Sequence, residues 1–378
     1  LALPSYLLLV RSLRWRRFNA IHREFAARDP ESLTTAEAQR VMHTVTMWDM
    51  PFLNVKSLAF ALFKTYAIPS ISKILAGTGE LSSSERVSKR YADTEILIAT
   101  WMNCPVMGNY PLSTTGQNAE DKDFDPRAMI AVARVNFLHS HYPIKNDDHL
   151  YTLSLFVFEP PRWAARYGWR PWSVLERTAL FIVWREIGAR MGIADIPETM
   201  GEFEAWSLAY EQEYMVPADT NAFVAQYTTD ELLHSVPAFL GLRAAAERVV
   251  VCTLEERVRI AMKQPAQPAW LKALTHYLIL ASGVFQRHLC LPRRFSHQLF
   301  SVGADGVPRM HPNEFRARPW YKPAGARWLD RAKVLLGWYD AVPGEQWAAG
   351  GYRLEEVVSG PGHEQVMRDA ARLQGCPV

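Results

Sequence analysis

Apolar residues in this chain recur at spacings of three and four over most of its length, and the strict alternation of a half-buried strand is nearly absent. The segments this pattern predicts as helices are Phe52–Tyr66, Arg127–Tyr142, Asp148–Phe158, Trp172–Met191, Glu202–Tyr214, Asn221–Leu233, Leu254–Lys263, Ala269–Cys290 and Ala326–Tyr339. Start signals agree with them. Thr34 with Glu37 and Ser82 with Glu85 have capping-box spacing, and Asp125-Pro126 offers an N-cap and a first-turn proline ahead of Arg127. The expected fold class is all-α. Two stretches break the pattern. Cys104–Asp125, rich in Gly, Pro, Asn and Asp, reads either as a lid over a pocket or as a plain connection, and Leu291–Pro323, rich in Pro and Arg, reads as irregular.

Composition narrows the class without naming a function. With 49% hydrophobic residues, 12% aromatics and 13 Trp, the 378-residue chain has ample material for a packed core or a large apolar pocket. A net charge of +3 leaves no electrostatic footprint for nucleic acid. Cys104, Cys252, Cys290 and Cys376 are scattered, fitting neither a zinc site nor a disulfide framework, and are read as structural. The opening LALPSYLLLV followed by RSLRWRR has the form of the end of a membrane helix with its basic flank. Those ten residues reach only about 15 Å as helix, so a preceding segment is expected to complete the span. The plainer reading is a short amphipathic helix docked on the body.

The densest chemistry lies in Arg134–Pro160, RVNFLHSHYPIKNDDHLYTLSLFVFEP. Here His139, Asn136, His141, His149, Asp147 and Asp148 crowd a stretch otherwise fit for a core, where polar groups need something to satisfy them. A cofactor would do so. His139 sits on a helix whose Met129, Ile130, Val132, Val135, Phe137 and Leu138 are apolar nearly all round, as in a fully buried helix. Upstream, Arg90, Asp93 and Thr94 stand at i, i+3 and i+4 and are expected to share a face. Downstream, Trp184, Glu186, Trp206 and Tyr210 lie on long apolar helices, where packing accounts for the aromatics.

That segment, with SKRYADTEIL (Ser88–Leu97) and YGWRPWSVLERTALFIVWREIGARMGI (Tyr167–Ile193), resembles the fungal membrane-bound oxygenases typified by MpaB, a family grouped with the bacterial rubber oxygenases. The likeness to the MpaB branch runs from about Leu9 to Cys376-Pro377, and to the rubber oxygenases it is confined to the Arg90 and His139 helices with a few flanking positions. It implies an all-helical, globin-like or bundle-like domain enclosing haem b, with His139 as the axial ligand of the iron and Thr152 beside the cofactor. It implies Arg90 and Thr94 as distal groups toward bound dioxygen. The rubber oxygenases place a lysine where this chain has Asp93, which is therefore expected to pair with Arg90 or to take a proton from substrate.

On this resemblance, residues 1–20 are the end of a membrane anchor with its flank, and 21–378 form one haem-binding oxygenase domain. The implied activity is oxidation or cleavage of a C=C bond in an isoprenoid-type, meroterpenoid intermediate of fungal secondary metabolism, giving aldehydes, ketones or acids. The implied partners are dioxygen, an apolar prenylated substrate and, through the N-terminal helix, the endoplasmic reticulum membrane, with the body facing the cytosol. Plainer readings stand beside these: a core His139 bonded to a carbonyl, an Arg90–Asp93 helical salt bridge, and Asp147 as a simple helix cap. Two rival classes remain. One is a helical membrane-associated protein without haem or enzymatic activity. The other is a di-metal oxygenase, for which only Glu231-Leu-Leu-His234 has the required spacing.

Overall fold

The apolar periodicity becomes helix almost throughout the computed structural model, which describes residues 2–81, 83–106, 125–236, 241–311, 318–325, 327–337, 339–358 and 362–373. In chain order the helices are α1 (Ala2–Arg14), α2 (Arg16–Glu24), α3 (Thr35–His43), α4 (Pro51–Tyr66), α5 (Pro69–Gly77), α6 (Ser84–Asn103), α7 (Arg127–His139) and α8 (Asn146–Tyr167). They continue with α9 (Val174–Arg190), α10 (Met200–Tyr214), α11 (Asp219–Leu232), α12 (Leu242–Thr253), α13 (Glu256–Ala261), α14 (Ala269–Leu289), α15 (Trp328–Leu335) and α16 (His363–Leu373). One small antiparallel hairpin, β1 (Phe300–Val302) with β2 (Pro308–Met310), interrupts the segment expected to be irregular.

The centre belongs to the helix that is apolar all round. Every residue of α7 from Ala128 to Val135 is buried, with α6 and α16 packed against it. Around it α3 packs on α9 and α4 on α8. Arg134 is the one charged side chain on that buried stretch, and its Nε donates to the carbonyl of Val357 at 2.8 Å, tying α7 to the C-terminal segment. Helix α1, expected to be the end of a membrane anchor, docks on the body. Val10 of α1 is fully buried, Tyr6 Oη donates to the Leu289 carbonyl at 2.8 Å, and Arg14 reaches the Cys290 carbonyl at 2.7 Å. No described helix is by itself long and apolar enough to cross a membrane.

Several boundaries differ from the sequence pattern for identifiable reasons. Ser83, not Ser82, caps α6 by accepting from the Arg86 N–H; Ser82 lies outside the described residues. Pro126 occupies the N-cap of α7, one residue later than expected, while the capping side chain is the expected Asp125, whose carboxylate accepts from the Arg127 N–H at 3.1 Å. Helix α8 starts at Asn146, leaving Asp147 exposed in its first turn and not its cap. It also runs on through Pro160 and Pro161, where the apolar pattern stops at Phe158. The ion pairs of Glu159 and Arg162 hold that turn against the loss of two backbone donors. The candidate lid falls largely on residues 107–124, outside the described residues, as does Cys376.

One ammonium group ties four elements together. Lys64 Nζ of α4 lies 3.0 Å from Glu159 of α8, 3.0 Å from Glu211 of α10 and 3.2 Å from Glu255 just before α13. Burial alone would lower its pKa, but the three carboxylates outweigh burial and hold it above the usual lysine value. Tyr151 donates to Glu211 at 3.1 Å, and Arg162 bridges Glu159 and Glu204. Removing the lysine strands two carboxylates that are almost fully buried. Lys64→Met should therefore destabilise the fold by roughly 3–5 kcal/mol, read from denaturant midpoints. A loss under about 1 kcal/mol, the size of a surface pair, would show that the cluster contributes little.

Helix α3 performs a second polar task inside the core. His43 Nε2 donates to the Met102 carbonyl at 2.6 Å, and Gln39 donates to the Cys104 carbonyl at 2.6 Å while accepting from the Val106 N–H at 3.0 Å. These bonds satisfy carbonyls that the end of α6 leaves without intrahelical partners. Burial pushes the His43 pKa down to about 4 from 6.5, so the folded state keeps it neutral where the unfolded chain takes up a proton. The unfolded state then binds more protons, and stability must fall as pH drops from 6.5 toward 4, by on the order of 3 kcal/mol from this group. Denaturation midpoints across that window should show the slope, and His43→Gln should flatten it. An equally steep profile in the variant would assign the slope elsewhere.

Candidate active site

Helices α4, α6, α7, α8 and α9 enclose a cavity of about 480 Å³, within the range of small-molecule sites. Its walls are largely apolar, with Leu97, Ile98, Val135, Phe156, Trp184 and Ile193 among them. Into it open Arg90 and Thr94 from α6, His139 from the end of α7, and Asp148, His149 and Thr152 from the start of α8. The structure thus brings four of the five sequence-predicted residues to one space.

His139 is half-exposed by surface, and that surface faces the cavity, because the residue is surrounded by protein. Its pKa is pushed down to about 3, by burial first, then by His149 and by the cation of Arg90. It is a neutral imidazole. Its ring lies 5.1 Å from that of His149, whose pKa is also lowered by burial. Neither ring hydrogen-bonds to protein among the described residues, so the carbonyl-bonded core histidine is not what is found. His141 is different: it is exposed, and its Nδ1 pairs with the Phe137 carbonyl at 2.7 Å.

Arg90 and Thr94 are a turn apart on the cavity side of α6, and neither makes a hydrogen bond or ion pair to protein among the described residues. Thr152 does. Its hydroxyl donates to the Asp148 carbonyl at 2.8 Å, so it offers only lone pairs to a ligand, whereas Thr94 remains able to donate. The Asp148 carboxylate, almost fully buried, is fixed by Tyr210 at 2.6 Å and Ser70 at 2.7 Å.

Asp93 departs from expectation. It is buried away from the cavity, pairing with Lys89 at 2.8 Å and accepting from Tyr321 Oη at 2.6 Å. It does not pair with Arg90. At about 100° per residue, Asp93 and Thr94 fall on opposite sides of Arg90, and only Thr94 turns inward. On α10 Trp206 stacks on Tyr210 at 5.2 Å as packing, whereas on α9 Trp184 both stacks on Phe156 at 4.5 Å and lines the cavity, and Glu186 pairs with Arg190 at 2.7 Å. Glu231 and His234 also line the cavity, with His234 lying 3.3 Å from Asp340. Among the described residues no group of three or more His, Cys, Asp and Glu is placed to hold a metal ion.

Asn54 was missed by the sequence reading. It is buried on α4 beside the cavity, and its carboxamide oxygen accepts no hydrogen bond among the described residues. The signal was available: Asn54, Leu58, Leu62 and Thr65 recur at helical spacing along an apolar run and all line the cavity.

Residues 45–282, which include α4 and every cavity residue named so far, match the family described as ER-bound oxygenase mpaB/B'/Rubber oxygenase, catalytic domain. The chain belongs to this family. It is 30% identical to the ER-bound oxygenase mpaB' of Penicillium brevicompactum over 98% of its own length and 90% of that protein's. To the ER-bound oxygenase mpaB of Penicillium roqueforti (strain FM164) it is 36% identical, over 62% of this chain and 80% of the relative. The mpaB of P. brevicompactum is 34% identical over 61% of this chain and 59% of that protein. The matched region carries α6, α7, α8 and most of the cavity lining, so membership concerns the site itself.

Asp93, for its part, belongs to the packing of α6 against the C-terminal segment. Asp93→Asn should cost about 1–3 kcal/mol in stability by weakening its bonds to Lys89 and Tyr321. It should leave the cavity's ligand binding unchanged. Normal stability with lost ligand binding would return Asp93 to the site.

Proposed function

We propose that this chain is a haem-dependent oxygenase that oxidises or cleaves a C=C bond of an apolar, prenyl-bearing substrate. The observation that carries the reading is a neutral His139 on the wall of an apolar cavity that also holds Arg90 and Thr94, none of the three hydrogen-bonded to protein among the described residues. A neutral imidazole with a free nitrogen is the form that ligates iron, and the apolar walls suit the faces of a porphyrin. These residues fit haem b. Bound there, the group would supply activation of dioxygen, and the protein supplies orientation and electrostatics.

Each residue then has a distinct task. His139 holds the cofactor, with His149 packed against its ring. Arg90 and Thr94 present donors to negative charge on oxygen as it develops, and the low dielectric around them strengthens both bonds. Thr152, with its proton committed to Asp148, contributes an acceptor beside the cofactor. Cleavage of an alkene by one dioxygen into two carbonyl groups balances without an external reductant, since each carbon of the double bond receives one oxygen atom. The apolar lining and the membrane association named for the relatives support a substrate that concentrates in the endoplasmic reticulum bilayer, each buried CH₂ contributing about 0.8 kcal/mol.

An absorption spectrum with an iron assay tests the cofactor: a Soret band is expected in the purified protein, and its absence would favour the non-enzymatic helical protein. His139→Ala should lose haem or shift the band, while His141→Ala should not. Arg90→Ala or Thr94→Val should keep haem and lose on the order of 10²-fold in turnover. Oxygen uptake measured on prenylated phenols of increasing chain length should rise with length. Full haem occupancy with an unaltered spectrum in the His139 variant would sink the assignment.

A further inference from the structure

Helix α14 has two faces of opposite kind, and the second is covered by no described residue. It meets the body through buried Thr275 and Gly283. A Cβ at Gly283 would lie 2.6 Å from the Tyr167 carbonyl oxygen, so the helix sits directly on the end of α8. On the other side Trp270, Leu274, Tyr277, Leu278, Val284 and Phe285 form one exposed stripe, with Trp270, Tyr277 and Leu278 all above 60% exposed. Helix α1 lies alongside, adding exposed Leu3, Leu7 and Leu8. An apolar surface of this extent marks an interaction site.

Charge identifies the occupant. Residues 1–23 and 257–304 contain no Asp or Glu, yet hold five and seven basic residues. Of these, Arg11, Arg16, Arg287, Arg293 and Arg294 are exposed, gathered where α1 and α14 end together; Arg17 donates to the Arg293 carbonyl at 3.0 Å. An apolar strip with an acid-free arginine rim matches an anionic phospholipid surface. The same rim offers no carboxylate to meet the arginines of a second copy. Beyond α14 the chain passes exposed Phe295 and returns to the cavity. There the His297 N–H donates to the Met47 carbonyl at 2.8 Å, and both residues line the cavity.

We propose that α14 lies in the plane of an anionic phospholipid bilayer, with its Trp270-to-Phe285 stripe in the acyl boundary and the arginines at the headgroups. This surface is additional to any N-terminal anchor. It does not rest on the oxygenase reading, because membrane capture is measured without turnover.

Flotation of this chain with phosphatidylcholine–phosphatidylserine vesicles, against phosphatidylcholine alone, tests the surface. The parent should float, and better with the anionic lipid. Leu278→Asp combined with Phe285→Asp, both exposed and so harmless to folding, should lower vesicle partition about tenfold or more. Arg293→Glu with Arg294→Glu should abolish the preference for phosphatidylserine, at roughly fivefold per arginine. Amide exchange over residues 269–289 should slow when vesicles are added. Parental flotation by the α14 variants would assign membrane capture to α1 alone and overturn the proposal. So would sedimentation showing a dimer that the same variants dissociate while vesicle binding is unchanged, since the stripe would then belong to a second copy.

Discussion

The cavity depends on keeping α4 and α8 in register, and the buried ammonium of Lys64 fixes that register. On α4 the residues that line the cavity run from Asn54 to Tyr66, and within that stretch Lys64 reaches Glu159 and Glu211. On α8, Thr152 stands at the cavity and Glu159 follows seven residues later, about two turns on. One pair of helices therefore carries both the cavity wall and the ion cluster. Apolar contacts alone tolerate sliding. A charge that must meet three carboxylates does not, because each misplaced partner becomes an unpaired buried ion.

The same economy of charge governs the cavity. His139, His149 and Arg90 face one another across a largely apolar space, and their charges are linked. Burial strips His139 and His149 of their protons, and the guanidinium of Arg90 makes protonation of His139 less favourable still. His139 is thereby held as a neutral ring on the cavity wall at physiological pH. Asp148 makes no ion pair with Arg90 among the described residues: its Oδ1 accepts from Tyr210 and Ser70, and its Oδ2 accepts no hydrogen bond from them. The guanidinium is left for whatever anion or developing charge enters.

Much of this was legible in the chain. The apolar run ahead of His139 announced the buried helix α7, and the cavity beside it follows from several such helices meeting. Periodicity found most helices but not their ends. The cap fell on Ser83 because three serines in a row offer the same hydroxyl, and only the entry angle of the chain selects one. Asp93 was misassigned because i, i+3 and i+4 span about 100° of helix, wide enough for one member to leave the site. Its partner Tyr321 lies more than two hundred residues away, beyond the reach of local pattern. Helix α14 shows the deeper limit. A run of Trp, Leu, Tyr, Val and Phe reads alike whether it faces a core or the outside, and only the packed structure separates the two.

That separation bears on how the site can discriminate. For a substrate arriving from water, each methylene buried in the cavity contributes about 0.8 kcal/mol, and length alone produces affinity. For a substrate arriving from the bilayer beside α14, the methylenes are already out of water, so transfer into an apolar cavity gains almost nothing per carbon. Chain length then governs delivery to the membrane, not binding once there. Choice among lipid-soluble molecules must rest on shape and on the few polar groups that protein leaves unsatisfied. In this cavity those include the donors of Arg90 and Thr94 and the carboxamide of Asn54. A site with so little polarity can afford no redundant group. The polar residues that do not serve it, Asp93 among them, are turned into the packing.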